Sequence, residues 1–184
     1  MATIIGLVGL SGTGKSEASR ILTDMGNLPV VYFGDVVMTE VRARGLDVTP
    51  QNEKQVREDL RAREGMAVMA KRKLPEINAA LASGGKVLID GIYSYSELKM
   101  LRAEFGNTLV VVAIHAAESV RAARLAARLV RPLTRAEMEA RDAAEVTALE
   151  KAEPIALADY HVVNDGTTAE LTASLARIYK AVTD

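Results

Sequence analysis

One segment directly after the first apolar run constrains this chain more than any other feature. The run Thr3–Val8 is rich in β-branched residues and predicts a buried strand, and Ser16–Met25 predicts a helix that stops at Gly26. Between them lies Gly9–Ser16, with the pattern G-x-x-x-x-G-K-S. Glycines permit positive φ and a close approach of backbone N–H groups to an anion, and the helix N-terminus adds about half a positive charge. The segment is therefore predicted to bind phosphate.

This pattern is the P-loop, and its parts have separate tasks on a nucleoside triphosphate. The Lys15 ammonium reaches the β- and γ-phosphates, and the Ser16 hydroxyl is a ligand for Mg²⁺. ATP and Mg²⁺ are therefore the expected cofactors. The sequence lacks a guanine-reading N-K-x-D motif and is short for a motor, so a kinase is favoured over a GTPase or an AAA-type motor. The candidate nucleotide-binding residues in this segment are Gly9, Ser11, Gly12, Thr13, Gly14, Lys15, Ser16 and Glu17.

Apolar runs alternate with helical patterns along the rest of the chain, which predicts a parallel sheet covered on both faces. Further strands are predicted at Val30–Phe33, Lys86–Ile89, Thr108–Ile114 and Tyr160–Val163. Helices are predicted as a pair between Pro50 and Ala82 with a break near Gly65, at Ser96–Phe105, at Ala117–Val130, from Thr134 to about Glu150, and at Thr168–Val182. Residues 36–82 form a helical insertion between strands two and three. No linker divides the chain, so residues 1–184 are predicted to be a single α/β domain.

Composition excludes several kinds of site and partner. The sequence contains no Cys and two His, so disulfides and thiolate metal sites are excluded and a multi-histidine metal centre is disfavoured. The formal charge of −1 and the aromatic content of 4% argue against strong nucleic-acid binding. Charges interrupt every apolar run before about 18 residues, so no membrane span is expected. We expect a cytoplasmic protein without a targeting signal, in which His115 and His161 are structural.

Two carboxylates follow strands and would lie at the carboxyl edge of the sheet, where ligands bind in such folds. Asp35 follows the second strand and would orient or deprotonate the hydroxyl of a phosphoryl acceptor; the alternative is that it caps a helix. Asp90 ends the third strand and would bind a water ligand of Mg²⁺; the alternative is a turn residue before Gly91. Ser16 and Asp90 are therefore the candidate metal site.

Four arginines recur at helical spacing near the middle of the chain. If the predicted helix Ala117–Val130 continued that far, Arg121, Arg124, Arg128 and Arg131 would share an arc of roughly 80°. Like charges at this spacing repel, and anions that visit the face would relieve the repulsion. Arginine also stabilises a transferred phosphoryl group with paired hydrogen bonds. The alternative is a solvated face whose partners are Glu118, Glu139, Asp142 and Glu145.

The P-loop, the run Val31–Asp35 and the strand that ends in Asp90 and Gly91 together resemble the nucleoside monophosphate kinase group. Within that group, the chain resembles a family of small P-loop proteins related to dephospho-CoA kinase and adenylate kinase. The further segments that carry this likeness are Arg141–Asp142, Ala156–Tyr160 and Val163–Gly166.

The resemblance implies a three-layer α/β/α P-loop NTPase fold whose five-stranded parallel sheet has the order 2-3-1-4-5. It implies that the acceptor binds to the helical insertion and that residues 128–141 form a short lid, mobile near Arg131–Arg135. Adenine would lie between the lid helices and the loop Asn164–Gly166, which adds Asn164 and Gly166 to the nucleotide-binding candidates. The implied catalytic residues are Lys15, Asp35, Arg128, Arg131 and Arg141.

Two departures from the family pattern concern the acceptor. Adenylate kinase-like enzymes have an arginine where this chain has Met38, and the related family has one where Tyr93 and Ser94 stand. Other arginines would then have to bind the acceptor's phosphate. The basic residues that could do so are Arg42, Arg57, Arg61 and the Lys71–Lys73 cluster. The candidate acceptor-binding residues are Asp35, Met38, Arg42, Arg72, Gly91 and Tyr93.

The sequence thus predicts a phosphotransferase that uses ATP and Mg²⁺ to phosphorylate a small nucleotide-like acceptor, as nucleoside monophosphate kinases do. Dephospho-CoA, or a nucleoside-type hydroxyl within a nucleic acid, is the alternative acceptor. A regulatory P-loop ATPase without any acceptor is the alternative from a different functional class.

Overall fold

The computed structural model describes residues 3–183 as strands that alternate with helices. The strands are β1 (Thr3–Val8), β2 (Val30–Tyr32), β3 (Lys86–Asp90), β4 (Leu109–His115) and β5 (Tyr160–Val163). The helices are α1 (Lys15–Gly26), α2 (Asp35–Ala43), α3 (Pro50–Glu64), α4 (Val68–Gly84), α5 (Tyr95–Phe105), α6 (Glu118–Ala126), α7 (Arg135–Leu149), α8 (Ala152–Ala156) and α9 (Thr168–Thr183). A short 3₁₀ turn, Gly106–Thr108, precedes β4.

The strands form one sheet in the order β2-β3-β1-β4-β5. Every pair of neighbouring strands is parallel, so the predicted order and direction are both confirmed. The carboxyl ends of the strands therefore meet at one edge. Asp90 at the end of β3 is in register with Leu7 of β1 and with Tyr32 of β2. This edge carries the loops that follow β1, β2 and β3, which is where an open parallel sheet binds ligands.

The sheet separates two apolar cores, because alternate side chains of a strand point to opposite faces. On one face Ile4 packs with side chains of α2 to α5, among them Ile77. On the other face Ile5 packs with Leu22 of α1 and Leu175 of α9. Burying each such side chain stabilises the fold by about 1.5–3 kcal/mol. Helices thus cover both faces of the sheet, and its central strands are buried on both sides.

Three helices lie between β2 and β3, and the pair predicted between Pro50 and Ala82 is confirmed as α3 and α4. The predicted break near Gly65 is confirmed: α3 ends at Glu64, Gly65 has a φ of 89°, and α4 begins at Val68. Thr49 caps α3 by accepting a hydrogen bond from the Asn52 N–H at 3.2 Å. The sequence pattern did not predict α2 as a separate helix within residues 36–82, and it did not predict the five-residue helix α8.

The prediction of one helix over Ala117–Val130 is wrong in its last four residues, 127–130. Helix α6 ends at Ala126, because the chain turns back and the Leu133 N–H donates to the Leu125 carbonyl at 3.2 Å. Arg131 in this turn has a φ of 55°, which cannot occur within a right-handed helix. Residues 127–134, which we call the lid segment, therefore form an irregular connection between α6 and α7.

The predicted arginine stripe is consequently wrong as well. Arg121 and Arg124 lie on α6, whereas Arg128 and Arg131 lie in the lid segment and do not share their arc. Leu129 and Val130 of the lid segment project into solvent, with exposed fractions of 102% and 75%. None of the helices within residues 3–183 combines the length and the hydropathy that a bilayer span requires.

Candidate active site

The loop between β1 and α1 needs glycine at two positions. A Cβ atom at Gly9 would lie 2.4 Å from the backbone oxygen of Ile114. Gly14 has a φ of 96°, which other residues rarely adopt, and a Cβ there would lie 2.2 Å from Nδ2 of Asn164. These two glycines let the loop pass between β4 and the segment after β5. The first and the sixth positions of the P-loop pattern are thus explained by close contacts.

Lys15 closes the loop on itself. Its Nζ donates hydrogen bonds to the backbone oxygens of Gly9 at 2.8 Å and Leu10 at 2.9 Å. Burial of the ammonium, together with the nearby charge of Lys151, lowers the pKa of Lys15 to about 7. The direct hydrogen-bond partners of this buried cation are carbonyl dipoles, and the carboxylates of Glu145 and Asp90 act on it only through their charge, so the arrival of an anion is favoured.

The start of α1 completes an anion-binding cradle. Gly14 is the N-cap residue and provides no side-chain hydrogen bond to the first turn, so the free N–H groups there point out of the helix. Ser16 in this first turn is exposed. Uncapped amides, the ammonium of Lys15 and an accessible hydroxyl are the groups that a nucleotide's phosphate chain and its Mg²⁺ require. The residues present therefore fit both.

A buried arginine of α6 holds the loop from behind. Arg121 donates through Nε to the Ser11 carbonyl at 2.7 Å and through Nη2 to both carboxylate oxygens of Asp142 at 2.6 Å. It is 5% exposed, so neither partner is exchanged freely with water. Arg121 thus joins the loop to α6 and α7. Its partner Asp142 is one of the carboxylates that the sequence offered as partners of the arginines.

Asn164 fastens the other side of the loop. Its side chain donates to the Thr13 carbonyl at 2.8 Å, and its own backbone oxygen accepts from Arg124 at 2.8 Å. Asn164 and Gly166 also line a second cavity after β5, whose lining residues belong to residues 163–171 and include none from the lid. The side-chain amide of Asn164 donates to the P-loop, so Asn164 would contact a molecule in that cavity through its backbone.

Asp90 lies beside the P-loop, as its position at the end of β3 predicts. Burial raises the pKa of Asp90, while a hydrogen bond from Ser19 and the charge of Lys15 act in the opposite direction. The Asp90 carboxylate therefore lies close enough to Lys15 for the two charges to interact. A magnesium ion that is held by substrate phosphates typically uses one such carboxylate.

A cavity of about 290 Å³, called here the main cavity, opens between the loop after β2, helices α2, α3 and α7, and the lid segment. Its apolar wall comprises Val37, Met38, Met69 and Leu149, together with the aromatic residues Tyr32, Phe33 and Tyr93. Its charged residues are Glu53, Arg57, Arg61, Arg131, Arg141 and Glu145. Four of the residues named here, Met38, Tyr93, Arg131 and Arg141, were predicted site residues.

Two of the cavity's arginines are paired with carboxylates. Arg141 donates to Glu145 at 2.9 Å, and the other oxygen of Glu145 accepts from Lys151 at 2.6 Å. Arg131 of the lid segment pairs with Glu53 of α3 at 2.8 Å. Lys151 is almost fully buried and lies over the Tyr93 ring, 5.2 Å from its centroid. A cationic network thus extends from the main cavity toward Lys15.

Asp35 does not cap α2. Gly34 is the N-cap residue and Asp35 is the first residue of the helix, so the capping alternative for Asp35 is wrong. The Asp35 carboxylate accepts a hydrogen bond from Lys73 at 3.3 Å, and Lys73 also pairs with Glu76 at 2.6 Å. Burial lowers the pKa of Lys73, but these two carboxylates outweigh burial and leave the pKa raised. Asp35 is thereby oriented next to Gly34, which lines the main cavity.

Comparison with known proteins places this geometry in a family. A family model described as an AAA domain matches residues 5–146. A UPF0200 protein of Hyperthermus butylicus is 36% identical over 182 residues, which cover 98% of this chain and 95% of that protein. The chain belongs to the UPF0200 family. The P-loop of this UPF0200 chain therefore lies within a nucleotide-binding domain.

Solved structures extend the likeness to the fold. A gluconokinase from Sinorhizobium meliloti 1021 superimposes with a TM-score of 0.56 at 19% identity, over 98% of this chain and 95% of that one. A shikimate kinase from Bacteroides thetaiotaomicron superimposes with a TM-score of 0.60 at 14% identity, over 98% of both chains. The UPF0200 chain thus has a P-loop kinase-like fold.

Several predicted site residues lie away from the main cavity of the UPF0200 chain. Arg128 and Arg42 are exposed and do not line the cavity. Arg72 binds Glu40 at 2.8 Å and also Glu64, which ties α4 to α2 and α3. Glu17 pairs with Arg20 on the surface of α1. Gly91 contacts the Tyr93 ring, since a Cβ at Gly91 would lie 2.5 Å from the Tyr93 hydroxyl.

The sequence reasoning missed three charged residues of the site, Glu53, Glu145 and Lys151, as site residues. Each lies in or beside a helix, where charged residues are common. The contacts Glu53–Arg131 and Glu145–Lys151 form only in the folded chain. Glu150 has a φ of 52°, and this left-handed turn directs the chain so that Lys151 enters the core. A lysine next to a helix end carries no sequence signal of such burial.

The two histidines form a pair of their own. Their rings stack with centroids 5.2 Å apart, and Nε2 of His115 lies 3.0 Å from Nδ1 of His161. Burial and the adjacent His161 lower the pKa of His115. The pair joins β4 to β5 and does not line the main cavity.

Proposed function

We propose that this UPF0200 protein is a phosphotransferase that uses ATP and Mg²⁺ to phosphorylate a small, nucleotide-like acceptor. The single observation that carries the proposal is the juxtaposition at one sheet edge of a P-loop and an enclosed, charged cavity of about 290 Å³. A nucleotide switch needs only the first of these. A kinase needs both, because donor and acceptor must lie in line for phosphoryl transfer.

The donor side of the reaction is assigned to the P-loop. Lys15 would exchange its two carbonyl partners for phosphate oxygens, and the first-turn amides of α1 would bind the same phosphates. Ser16 and Asp90 would hold Mg²⁺, which when bound neutralises charge on the phosphates. Arg121 and Asn164 hold the loop in the shape that this binding needs.

The acceptor side is assigned to the main cavity. Asp35 does not line the cavity but directly follows Gly34, which does; oriented by Lys73, it would accept the proton of an acceptor hydroxyl or position the acceptor group. Arg141 and Arg131 line the same cavity and would stabilise charge on the group in transfer. The pair Arg131–Glu53 ties the lid segment to α3, which would limit the access of water.

Acceptor size separates the main proposal from its first alternative. A polynucleotide acceptor calls for an open basic groove beside Lys71, Arg72 and Lys73. Arg72 is instead paired with Glu40 and Glu64, and Lys73 with Asp35 and Glu76, so their charges are already compensated. These pairings favour a small acceptor such as a nucleoside monophosphate over a nucleic acid. Dephospho-CoA is also a small molecule, so these pairings do not exclude it, and the activity screen described below includes it.

A regulatory ATPase without an acceptor is the second candidate function, and the match to an AAA domain model favours it. The two candidates differ in what limits turnover. A kinase hydrolyses ATP slowly until its acceptor is supplied, whereas a regulatory ATPase releases ADP at a rate that no added metabolite changes.

The test is a coupled ADP-release screen with Mg²⁺, ATP and separate panels of nucleoside monophosphates, nucleosides and dephospho-CoA. We expect one panel to accelerate ADP release, and Lys15→Ala to lower that rate at least about 100-fold, since one charge-stabilising donor contributes that much. Lys180→Ala, which removes an exposed lysine of α9, is the matched control and should keep full activity. Full turnover in Lys15→Ala would overturn the donor site.

A second variant tests the acceptor side. Asp35→Asn keeps the size of the side chain and its contact with Lys73 but cannot take a proton. We expect it to lower transfer by about 10²–10⁴-fold, the usual contribution of a positioned base, with ATP affinity changed by less than about threefold. The measurements are steady-state transfer with the active acceptor and equilibrium binding of a fluorescent ATP analogue. Parallel losses of transfer and ATP binding would indicate a structural role.

A further inference from the structure

The cationic side chains of the main cavity fall into two pairs. Arg131 and Arg141 each have a carboxylate partner, as described above. Arg57 and Arg61 have none within 4 Å among residues 3–183. Both lie on α3 and both line the cavity, so the structure presents to one space two guanidinium groups that have no carboxylate within 4 Å among the described residues.

The spacing on α3 explains why Arg57 is left without a partner. Glu53, Arg57 and Arg61 are separated by four residues each and therefore lie along one face of the helix. A glutamate four residues before an arginine ordinarily pairs with it. Here Glu53 pairs instead with Arg131, 78 residues further along the chain. Arg57 and Arg61 then repel one another across one helical turn.

Arg61 has a second deficit. Its Nε atom is buried and has no hydrogen-bond partner. Burial lowers the pKa of Arg61, and the charge of Glu97 acts against this. Glu97 is itself fully buried, and its Oε2 accepts hydrogen bonds from the N–H groups of Tyr93 and Ser94. Oε1 of Glu97 is also buried without a partner, so a ligand in the cavity would bind the remaining guanidinium atoms of Arg61 and not its Nε atom.

The charge of the cavity indicates which ligand this is. Its lining contains four arginines and two glutamates, which leaves a net charge of +2. A phosphate monoester carries roughly −1.5 to −2 at pH 7 and offers three acceptor oxygens, whereas a carboxylate carries −1 and offers two. Val37, Met38, Met69 and Leu149 form an apolar wall for the body of the same molecule.

We propose that Arg57 and Arg61 bind a phosphate group of the acceptor, so that the acceptor is a phosphate monoester with an apolar or aromatic body. The inference rests on the proposed function and names the substrate class of its acceptor site. Of the basic residues that the sequence offered for this role, Arg57 and Arg61 line the cavity, whereas Arg42 and the Lys71–Lys73 cluster do not.

The experiment uses inorganic phosphate as the probe and methionine methyl groups as reporters. Protein labelled with ¹³C in its methionine methyls is first saturated with Mg²⁺ and the non-hydrolysable ATP analogue AMP-PNP, so that the P-loop is filled. Phosphate or acetate is then titrated in. Met38 and Met69 line the cavity, and Met25 of α1 serves as the remote reporter.

We expect phosphate to shift the Met38 and Met69 signals and leave Met25 unchanged. The affinity for phosphate should fall at least about tenfold in both Arg57→Gln and Arg61→Gln, because each removes a charge-assisted hydrogen bond. Arg63→Gln removes an arginine of the same helix that lies outside the cavity and pairs with Asp59, so it should bind phosphate like the natural protein. Acetate should bind at least about tenfold more weakly than phosphate.

Each other outcome overturns a defined part of the argument. Equal phosphate affinity in the natural protein and in Arg57→Gln and Arg61→Gln would exclude the arginine pair. Acetate as tight as phosphate would exclude the monoester class, and this comparison needs no variant. Failure of AMP-PNP to bind would overturn the proposed function itself, whereas binding of AMP-PNP without a phosphate response in Met38 and Met69 would overturn only the acceptor class.

Discussion

At the scale of single residues, Lys15 has the most specific consequence. With its pKa lowered to about 7 by burial and by Lys151, Lys15 is mostly neutral at pH 8 and mostly charged at pH 6 in the free protein. Phosphate oxygens beside the ammonium favour its charged form and raise the pKa. Nucleotide binding at pH 8 should therefore take up close to one proton at Lys15, and binding at pH 6 should take up much less.

Calorimetric titration of AMP-PNP in buffers of different ionisation enthalpy measures this proton uptake. Lys15→Arg keeps the positive charge but stays charged at both pH values, so it should lose the difference between pH 6 and pH 8. Lys180→Met, on exposed surface, should retain it. The same proton stoichiometry at pH 6 and pH 8 in the natural protein would contradict a lowered pKa for Lys15.

Residues that act locally could be predicted from the sequence, and residues that act through the fold could not. The P-loop glycines and Lys15 follow from one local motif and Asp90 from its place at the end of a predicted strand, and the structure brings them together at one edge. Lys151 pairs with a glutamate six residues away only because of a left-handed turn between them. Glu53 finds its partner 78 residues away, and no spacing rule reports such a contact.

At the scale of elements, the lid segment makes its own prediction. Arg131 adopts a φ of 55°, which costs an L-residue about 1–2 kcal/mol and glycine almost nothing. Arg131→Gly and Arg131→Ala both remove the pair with Glu53, so their difference isolates the backbone. We expect the glycine variant to be more stable by about 0.5–1 kcal/mol in urea unfolding.

The matched control is a position within a regular helix. Ala140 is exposed in the interior of α7, where Ala140→Gly should lower the free energy of unfolding by about 1 kcal/mol. The order of glycine and alanine is thus expected to reverse between residues 131 and 140. If Arg131→Ala proved at least as stable as Arg131→Gly, residue 131 would not adopt the left-handed conformation in solution.

The boundaries of elements were predicted well where local chemistry sets them. Helix α7 was predicted to start at Thr134, and in the structure Thr134 and Glu137 exchange the capping hydrogen bonds that begin it. Helix α6 was predicted too long, because Ala-rich and Arg-rich sequence favours helix by propensity alone. The turn that ends it depends on Leu133 folding back onto Leu125, a contact that the helical pattern conceals.

At the scale of the whole molecule, the sheet was the most predictable feature. Its strands are apolar runs that alternate with helices, which predicts a parallel sheet, and the resemblance to nucleoside monophosphate kinases implies the order of the strands. The three-layer arrangement then follows from covering both faces of that sheet. The sequence pattern could not predict which charged residues line the main cavity, because they come from three separate elements, α3, α7 and the lid segment.

The place of β1 in this order affects how the chain reaches its native state. The first strand in the sequence is the centre of the sheet, and its neighbours β3 and β4 begin only at Lys86 and Leu109. During synthesis at roughly 5–20 residues per second, β1 waits on the order of 4–16 s for β3 to emerge. Such non-local pairing slows folding and leaves an apolar edge open to other chains in the meantime. The nascent chain is therefore most prone to aggregation before residue 90 has left the ribosome.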